Sequence, residues 1–152
     1  MNECLPDRCR RNRWLRVVTE AVDRAAAIAS GSDAQLVIAC AYYPADPKDV
    51  SAAADALGNE AYQVTGSAPT YEILRTARER AHAQGGAKDV VERAVVGAPV
   101  ESLLALLDEV KGDLLVVGNR GLNTLTGRLL GSVPSDAARK ATSDVLIVHT
   151  VR

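Results

Sequence analysis

The sequence has little aromatic character: it contains no Phe, one Trp and four Tyr in 152 residues. Base-stacking sites for single-stranded nucleic acid are built from aromatic side chains, so this composition argues against such a site. No charge of one sign predominates either, because 18 basic residues stand against 19 acidic ones and the net charge is −1. We therefore expect neither nucleic acid nor an anionic membrane surface among its partners.

Cysteine is scarce, and its spacing carries no metal or disulfide pattern. Cys4, Cys9 and Cys40 form no CxxC pair and have no His nearby with zinc-ligand spacing, so we expect free thiols. Long apolar runs are also missing. None approaches the roughly 20 residues that span a bilayer, and the arginine-rich start lacks the apolar segment of a secretory signal. The sequence therefore predicts a cytoplasmic protein.

What is present is the composition of an ordinary globular domain, with 47% hydrophobic and 24% charged residues. Helical and strand-like patterns alternate along the chain. TEAVDRAAAIAS, from Thr19, places its apolar residues on one helical stripe. After a turn at Gly31 to Asp33, AQLVIACAYY is a short apolar run typical of a strand buried on both faces. Residues 44–67 predict a surface loop that contains a short helix.

The alternation continues to the C-terminus. TYEILRTARERAHAQGG predicts a helix that its glycine pair ends, and Asp89 to Val96 predicts a strand. The turn GAP leads into the helix VESLLALLDEVKG, whose core-facing residues are Leu103, Leu104 and Leu107. The strand DLLVVG, a glycine-punctuated loop, the helix SVPSDAARKATS and the strand DVLIVHTV follow.

Strands separated by helices of this length cannot form hairpins, so they must pair in parallel through right-handed crossovers. The sequence therefore predicts an α/β fold with an open, doubly wound, Rossmann-like parallel sheet. Ligands of such sheets bind beyond the carboxyl ends of the strands. The loops that follow Ala41, Val96 and Val117 are the candidate ligand loops.

One of these loops carries a glycine motif. Gly118, Gly121 and the pair Gly131-Ser132 are spaced as G-x2-G-x9-G-[ST], directly between a strand and a helix. Glycines let the backbone approach a bulky anion, and a Ser at a helix N-terminus offers its hydroxyl beside unpaired N–H groups. Arg120 adds a cation that can contact phosphate. Taken singly, the glycines could make a turn and Ser132 could cap a helix, but spacing and position together favour a phosphate site.

The two ends of the motif have the sequences VVGNRGL and LLGSVP. In these segments the chain resembles the universal stress protein family in its ATP-binding branch. The resemblance extends through LVIACAYYP, GAPVESLL and SDVLIVHT, from about Thr19 to the C-terminus. It implies an adenine nucleotide alpha hydrolase-like fold with a five-stranded sheet of order 3-2-1-4-5. It also implies ATP or another adenine nucleotide such as cyclic AMP, with Mg²⁺, and a homodimer paired through the last strand, Val145 to Val151.

The resemblance also assigns site residues. Gly118, Gly121, Gly131 and Ser132 would hold the phosphates and the ribose, with Arg120 and the backbone amide of Val133 beside them. Ala41 would contact adenine through its backbone, and Val117 precedes the first glycine of the motif. The nucleotide-binding domain would then cover residues 19–152.

Residues 1–18 depart from the family. The family's first strand ends in an Asp within a DGS-like turn, but here stands MNECLPDRCRRNRWLRVV, with five arginines and the only Trp. A central strand could not bury those charges without a large free-energy penalty. Permitted codons for Cys4 to Val17, read one base later, encode AYQTVVVGTDGSE, a buried strand followed by the missing acidic turn. We therefore hypothesise a frameshift, with the frame restored near Thr19. A basic arm for nucleic acid or membrane fits less well, because Pro6 interrupts the segment and no amphipathic period is present.

The sequence offers no catalytic constellation. It lacks the G-x4-GK-[ST], G-x-S-x-G, HExxH and G-x-G-x-x-G motifs. His82 and His149 are interpreted as structural or exposed, and Asp108 and Glu109 as part of a solvated face. Three functions stay open: a nucleotide-binding regulatory protein with at most slow ATP hydrolysis, a ligand-free dimerisation module, and an adenylating enzyme of related fold. The first accounts for the glycine motif and is the prediction taken forward.

Overall fold

The computed structural model describes residues 6–43, 67–119 and 132–150. Helices and strands alternate along them: α1 (Pro6–Ser32), β1 (Leu36–Tyr42), α2 (Ser67–Gly85), β2 (Val90–Val96), α3 (Pro99–Glu109), β3 (Leu114–Gly118), α4 (Ser132–Lys140) and β4 (Asp144–Val148). Each helix and strand predicted outside residues 44–66 is present, and apart from the start of α1 the ends differ by a few residues. The short helix predicted between residues 44 and 67 falls on residues that lie outside the described ranges.

Helix α1 begins earlier than the sequence pattern indicated. We predicted a start at Thr19, but the helix runs from Pro6. Proline is favoured at the first position of a helix, where its missing N–H has no partner to lose. Between Asp7 and Ser30 the sequence contains no further proline and no glycine, and arginine is a good helix former. No residue of the arginine-rich segment therefore interrupts the helix between Pro6 and Thr19.

Helices α1 and α2 pack together through small side chains. Their contact buries Val22 and Ala26 of α1 against Ala77 and Ala81 of α2, in a cluster that also includes Ala87. Leu36, Ile38 and Val90 at the start of the first two strands pack against the same cluster. The apolar stripe predicted for α1 is confirmed. Because alanines let two helices approach closely, this core forms without any Phe.

The strands form two parallel pairs. Strand β1 is hydrogen-bonded to β2, with Leu36 opposite Val90, and β3 is hydrogen-bonded to β4, with Leu114 opposite Asp144. Parallel strands joined by helices confirm the α/β class. The order 3-2-1-4-5 numbers the five strands of the family, in which β1 to β4 take the places of strands 2 to 5. The two pairs match the family's 2-3 and 4-5 neighbours. Among the described residues, however, helix α1 and not a strand precedes β1.

The burial of β1 corrects a second expectation. A strand covered on both faces was predicted, but all seven residues of Leu36–Tyr42 are only half-buried. Strand β1 has a hydrogen-bonded neighbour on one side only among the described strands. Full burial of a strand in this fold requires neighbours on both edges as well as helices on both faces. The shortfall in burial is the consequence expected of a strand that has no neighbour at its second edge among the described residues.

Helix α3 packs on β1 and β2 and lies beside α4, which packs on β3 and β4. Its buried residues are Val100, Leu106 and Leu107. Of the three leucines predicted to face the core, Leu107 is buried, whereas Leu103 and Leu104 are half-buried. A run of four leucines broken by one alanine has no clear phase, so the neighbouring helix and strands decide which leucines are covered.

Candidate functional site

The first candidate residue, Ala41, lies near the carboxyl end of β1. It is opposite Val95 of β2 and half-buried. The next residue, Tyr42, accepts a hydrogen bond at 3.0 Å through its carbonyl oxygen from the backbone N–H of Gly97, just beyond β2. The carboxyl ends of β1 and β2 are therefore held level, which is the edge where an α/β sheet presents its ligand loops.

The next candidates, Val117 and Gly118, form the carboxyl end of β3. They are opposite Ile147 and Val148 of β4, and both are half-buried. No hydrogen bond joins β3 to the strand that holds Ala41. The two halves of the predicted adenine and phosphate site thus stand on separate strand pairs. Both pairs contact helix α1.

Ser132 is the first residue of α4, and Val133 follows it as a half-buried residue. The N-terminus of a helix presents unpaired N–H groups and the positive end of the helix dipole, which together attract anions. The last turn of α4 carries Arg139 and Lys140, where cations match the opposite end of the dipole. Arg120, Gly121 and Gly131 lie outside the described residues, so their assignment stays a prediction.

Tyr43 lies just past the end of β1, and Glu101, in the first turn of α3, acts on it electrostatically. Burial and, to a smaller extent, the negative charge of Glu101 raise the pKa of Tyr43 above its ordinary value. The phenol is therefore uncharged at neutral pH and can donate a hydrogen bond. The Glu101 carboxylate also meets the Lys140 ammonium at 3.3 Å. This contact joins α3 to α4 across the two strand pairs.

Sequence reasoning missed Asn119, which occupies the first variable position of the glycine motif. Its backbone N–H donates to the carbonyl oxygen of Val148 at 2.8 Å, and its side-chain oxygen accepts a hydrogen bond from the backbone N–H of Thr150 at 2.9 Å. An Asn beside a glycine at a strand end usually indicates a turn. Nothing local in the sequence indicates a partner on another strand.

Gly97 was expected only as a turn residue, but the structure gives it a stricter role. Its φ of +126° lies in a region that other residues rarely adopt, and a Cβ built there would meet the hydroxyl oxygen of Ser102 at 2.8 Å. That hydroxyl donates to the carbonyl oxygen of Val96 at 3.2 Å. The residue therefore sets how the chain turns from β2 into α3.

The remaining polar candidates are structural. His82 is exposed and lies 2.8 Å from the carbonyl oxygen of Ala87 through Nδ1. Asp108 and Glu109 are exposed as predicted, where Asp108 accepts a hydrogen bond from Thr142 and Glu109 pairs with Arg93. Across the described ranges, no three His, Cys, Asp or Glu side chains gather as metal ligands would. In the same part of the chain, no helix has both the length and the apolar character needed to cross a membrane.

Parallel strand pairs and crossover helices define an α/β protein with a Rossmann-like arrangement, in which the glycine motif of the sequence lies between a strand and the N-terminus of a helix. A sequence model described as the universal stress protein family matches residues 18–149. The chain therefore belongs to the universal stress protein family.

Individual relatives agree with this membership. The chain is 62% identical to the universal stress protein Rv1636 of Mycobacterium tuberculosis over 130 aligned residues. The aligned residues make up 86% of each chain. The chain also resembles the crystal structure of a universal stress protein in complex with cAMP, with 58% identity, a TM-score of 0.67, and 88% and 89% of the two chains covered. The universal stress protein UspA of Lactobacillus plantarum shares the fold. It is 20% identical, with a TM-score of 0.64, and 85% of this chain and 87% of that chain are covered.

These comparisons differ far more in sequence identity than in structural similarity. The TM-score at 58% identity is 0.67, and at 20% identity it is 0.64. The family match begins at residue 18 and so excludes most of the arginine-rich segment.

Proposed function

We propose that the chain is an adenine-nucleotide-binding regulatory protein of stress adaptation, which binds ATP or cyclic AMP through the loop after β3. The observation that carries this proposal is the complete G-x2-G-x9-G-[ST] motif, which starts at the end of β3 and finishes at the first residue of α4. Glycines and a helix N-terminus suit a phosphate group. The 58% identical structure in complex with cAMP supports the same class of ligand.

In this proposal each candidate residue has one role. Gly118, Gly121, Gly131 and Ser132 hold the phosphates and ribose, Arg120 and the backbone N–H of Val133 contribute a charge and a donor, and the backbone of Ala41 contacts adenine beyond β1, with Val117 at the strand end. When ATP is the ligand, Mg²⁺ would be bound largely by the phosphate oxygens, because Mg²⁺ prefers substrate phosphates and water to an all-protein cage.

We propose a regulatory role with at most slow hydrolysis, since the sequence shows no recognisable second substrate pocket, His pair or catalytic Lys of an adenylating enzyme. We further propose that residues 19–152 form the nucleotide-binding domain, that two copies pair through the last strand, and that the protein acts in the cytoplasm. Among the described strands, β4 is hydrogen-bonded to β3 alone, so its other edge can pair with a second copy. Sedimentation velocity over a dilution series tests the dimer.

The nucleotide site is tested by calorimetric titration of the full chain with ATP and with cyclic AMP. Gly121→Asp places a carboxylate and a bulky side chain where the phosphates are expected, so the affinity for either ligand should fall at least about tenfold. Gly31→Asp is the matched control, because it adds the same charge at a site with no heavy atom within 4 Å of the new Cβ. Unchanged affinity in Gly121→Asp would contradict the assignment.

A ligand-free dimerisation module is the second candidate. The separation of the described strands into two pairs favours it. The first-strand Asp expected near the ribose or adenine is missing from the chain as written, and among the described strands none lies between the two pairs. A dimer that binds neither ATP nor cyclic AMP in the same titration would establish this second function.

A further inference from the structure

Asn119 is the last described residue before the phosphate loop, and it is tied to the end of β4. Its backbone N–H continues the parallel ladder by donating to the carbonyl oxygen of Val148 at 2.8 Å. Gly118 precedes it at the end of β3, and Arg120 follows it in the chain. Its conformation therefore fixes the direction in which the chain leaves the sheet.

The side chain of Asn119 adds a second connection to the other strand. Its Oδ1 accepts a hydrogen bond from the backbone N–H of Thr150 at 2.9 Å and another from the Thr150 hydroxyl at 3.0 Å. Thr150 is only 4% exposed, so water cannot readily replace this acceptor. A carboxamide oxygen accepts two hydrogen bonds, and here both come from one buried residue. We name these two bonds the Asn119–Thr150 link.

The remaining atom of the amide faces a histidine. Nδ2 of Asn119 lies 3.2 Å from Nδ1 of His149. An amide nitrogen only donates, so Nδ1 must accept, and the ring proton of His149 must lie on Nε2. The orientation of the amide is thereby defined on both sides.

We infer that Asn119 is the positioning residue of the phosphate loop, because the Asn119–Thr150 link holds the chain at the exit of β3 in one direction. The inference rests on the proposed nucleotide site. Short-range contacts to phosphate depend on placement to within about 1 Å. The adenine contact proposed from the β1 side does not pass through Asn119, whereas the contacts to phosphate and ribose come from the loop that follows it. Removal of the link should thus weaken binding of ATP more than binding of adenosine.

The test compares ATP and adenosine affinities of the full chain, measured by calorimetry or by competition, with thermal unfolding recorded in parallel. Asn119→Ala should weaken ATP binding about tenfold, which corresponds to about 1.4 kcal/mol, and weaken adenosine binding by a smaller factor, about threefold at most. Thr150→Val removes the hydroxyl donor at nearly constant volume and should produce part of the ATP loss. Thr150→Ser retains the donor and is the matched control, which should bind both ligands as the parent chain does.

The double variant Asn119→Ala/Thr150→Val supports the link if its ATP loss is smaller than the sum of the two single losses, because both substitutions remove the same bond. Equal losses for ATP and adenosine in Asn119→Ala would overturn the positioning role and leave a structural one. Unchanged ATP affinity in that variant would also overturn it. A parent chain that binds neither ligand would instead contradict the proposed function itself, and the inference with it.

Discussion

Asp23 and Arg80 join helices α1 and α2 through two hydrogen bonds, of 2.7 Å from Nε and 2.8 Å from an Nη of the guanidinium. The two side chains are 34% and 36% exposed, so water screens the pair only in part. The hydrogen bond to Asp23 raises the pKa of Arg80, and the guanidinium stays charged wherever the protein is folded. The pair fixes how α1 crosses α2 above their alanine core.

Asp23→Asn should lower the free energy of unfolding by about 1 kcal/mol, because it removes the charge from a half-buried pair with two-point geometry. For a chain of this size that corresponds to a melting temperature about 3 °C lower. Differential scanning calorimetry of the two proteins measures the change.

Glu72→Gln is the control for this prediction. Glu72 pairs with Arg75 at 2.8 Å within the same helix, and both side chains are more than 60% exposed. Such a pair contributes about 0.3 kcal/mol, so its loss should leave the melting temperature nearly unchanged. An equal drop in melting temperature in both variants would show that the Asp23–Arg80 pair stabilises the fold no more than an exposed pair within one helix does.

Gly97→Ala should destabilise the fold by about 1 to 3 kcal/mol, since a side chain at φ +126° is strained and its Cβ would meet the Ser102 hydroxyl at 2.8 Å. In the double variant Gly97→Ala/Ser102→Ala the contact is relieved. Its loss of stability in urea unfolding should therefore be smaller than the sum of the two single losses. Additive losses would show that the backbone conformation alone excludes other residues at this position.

Cys40 should react slowly with thiol reagents, because burial raises its pKa from an ordinary value near 9 to about 11. The thiolate fraction at pH 8 is then about a hundredfold lower than in the unfolded chain. Iodoacetamide labelling followed by peptide mapping reads Cys40 separately from Cys4 and Cys9. Equal labelling rates with and without denaturant would contradict the prediction.

The same shift gives a pH dependence of stability. The unfolded thiol loses its proton near pH 9 and the folded one near pH 11. The stability linked to this proton is therefore complete below pH 9 and is lost as the pH rises through 11. In Cys40→Ala this loss should be absent, so the difference in unfolding free energy between the two proteins should stay constant below pH 9 and change above it.

Periodicity was enough to predict the helices and strands, but it could not predict contacts that depend on distant residues. The stripe that contains Val22 and Ala26 follows from helical spacing alone. The burial of β1 does not, since it depends on which strands lie beside it. The phase of the leucines in α3 likewise depends on α4, which comes more than twenty residues later.

In the candidate site, too, local features could be predicted from the sequence and long-range contacts could not. The position of Gly118 at the end of a strand and of Ser132 at the start of a helix could be predicted, because a turn motif and a helix cap are local features. Asn119 could not, because its partner Thr150 lies 31 positions away and an Asn in a turn commonly bonds its own backbone. The long-range hydrogen bond is visible only once the two strands are paired.

The arrangement of the strands bears on the frameshift hypothesis. Strands β1 and β3 each have one hydrogen-bonded neighbour among the described strands, and the order 3-2-1-4-5 requires one more strand between them. AYQTVVVGTDGSE, the shifted reading of Cys4 to Val17, has the apolar run and acidic turn that this position requires. We propose that the natural chain carries this strand, and peptide mapping of the protein from its source cell tests the proposal. Peptides that read CLPDR and WLR would contradict it.

A restored chain, with AYQTVVVGTDGSE in place of Cys4 to Val17, should therefore be more stable and form a single continuous sheet. Backbone N–H groups of β1 and β3 should exchange with solvent more slowly than in the chain as written, because a new strand pairs with their free edges. The matched control has proline in place of the central valine of VVV, since proline cannot donate to the ladder of a central strand. Faster exchange in the control than in the restored chain is expected. Equal exchange in both would show that the restored segment does not enter the sheet.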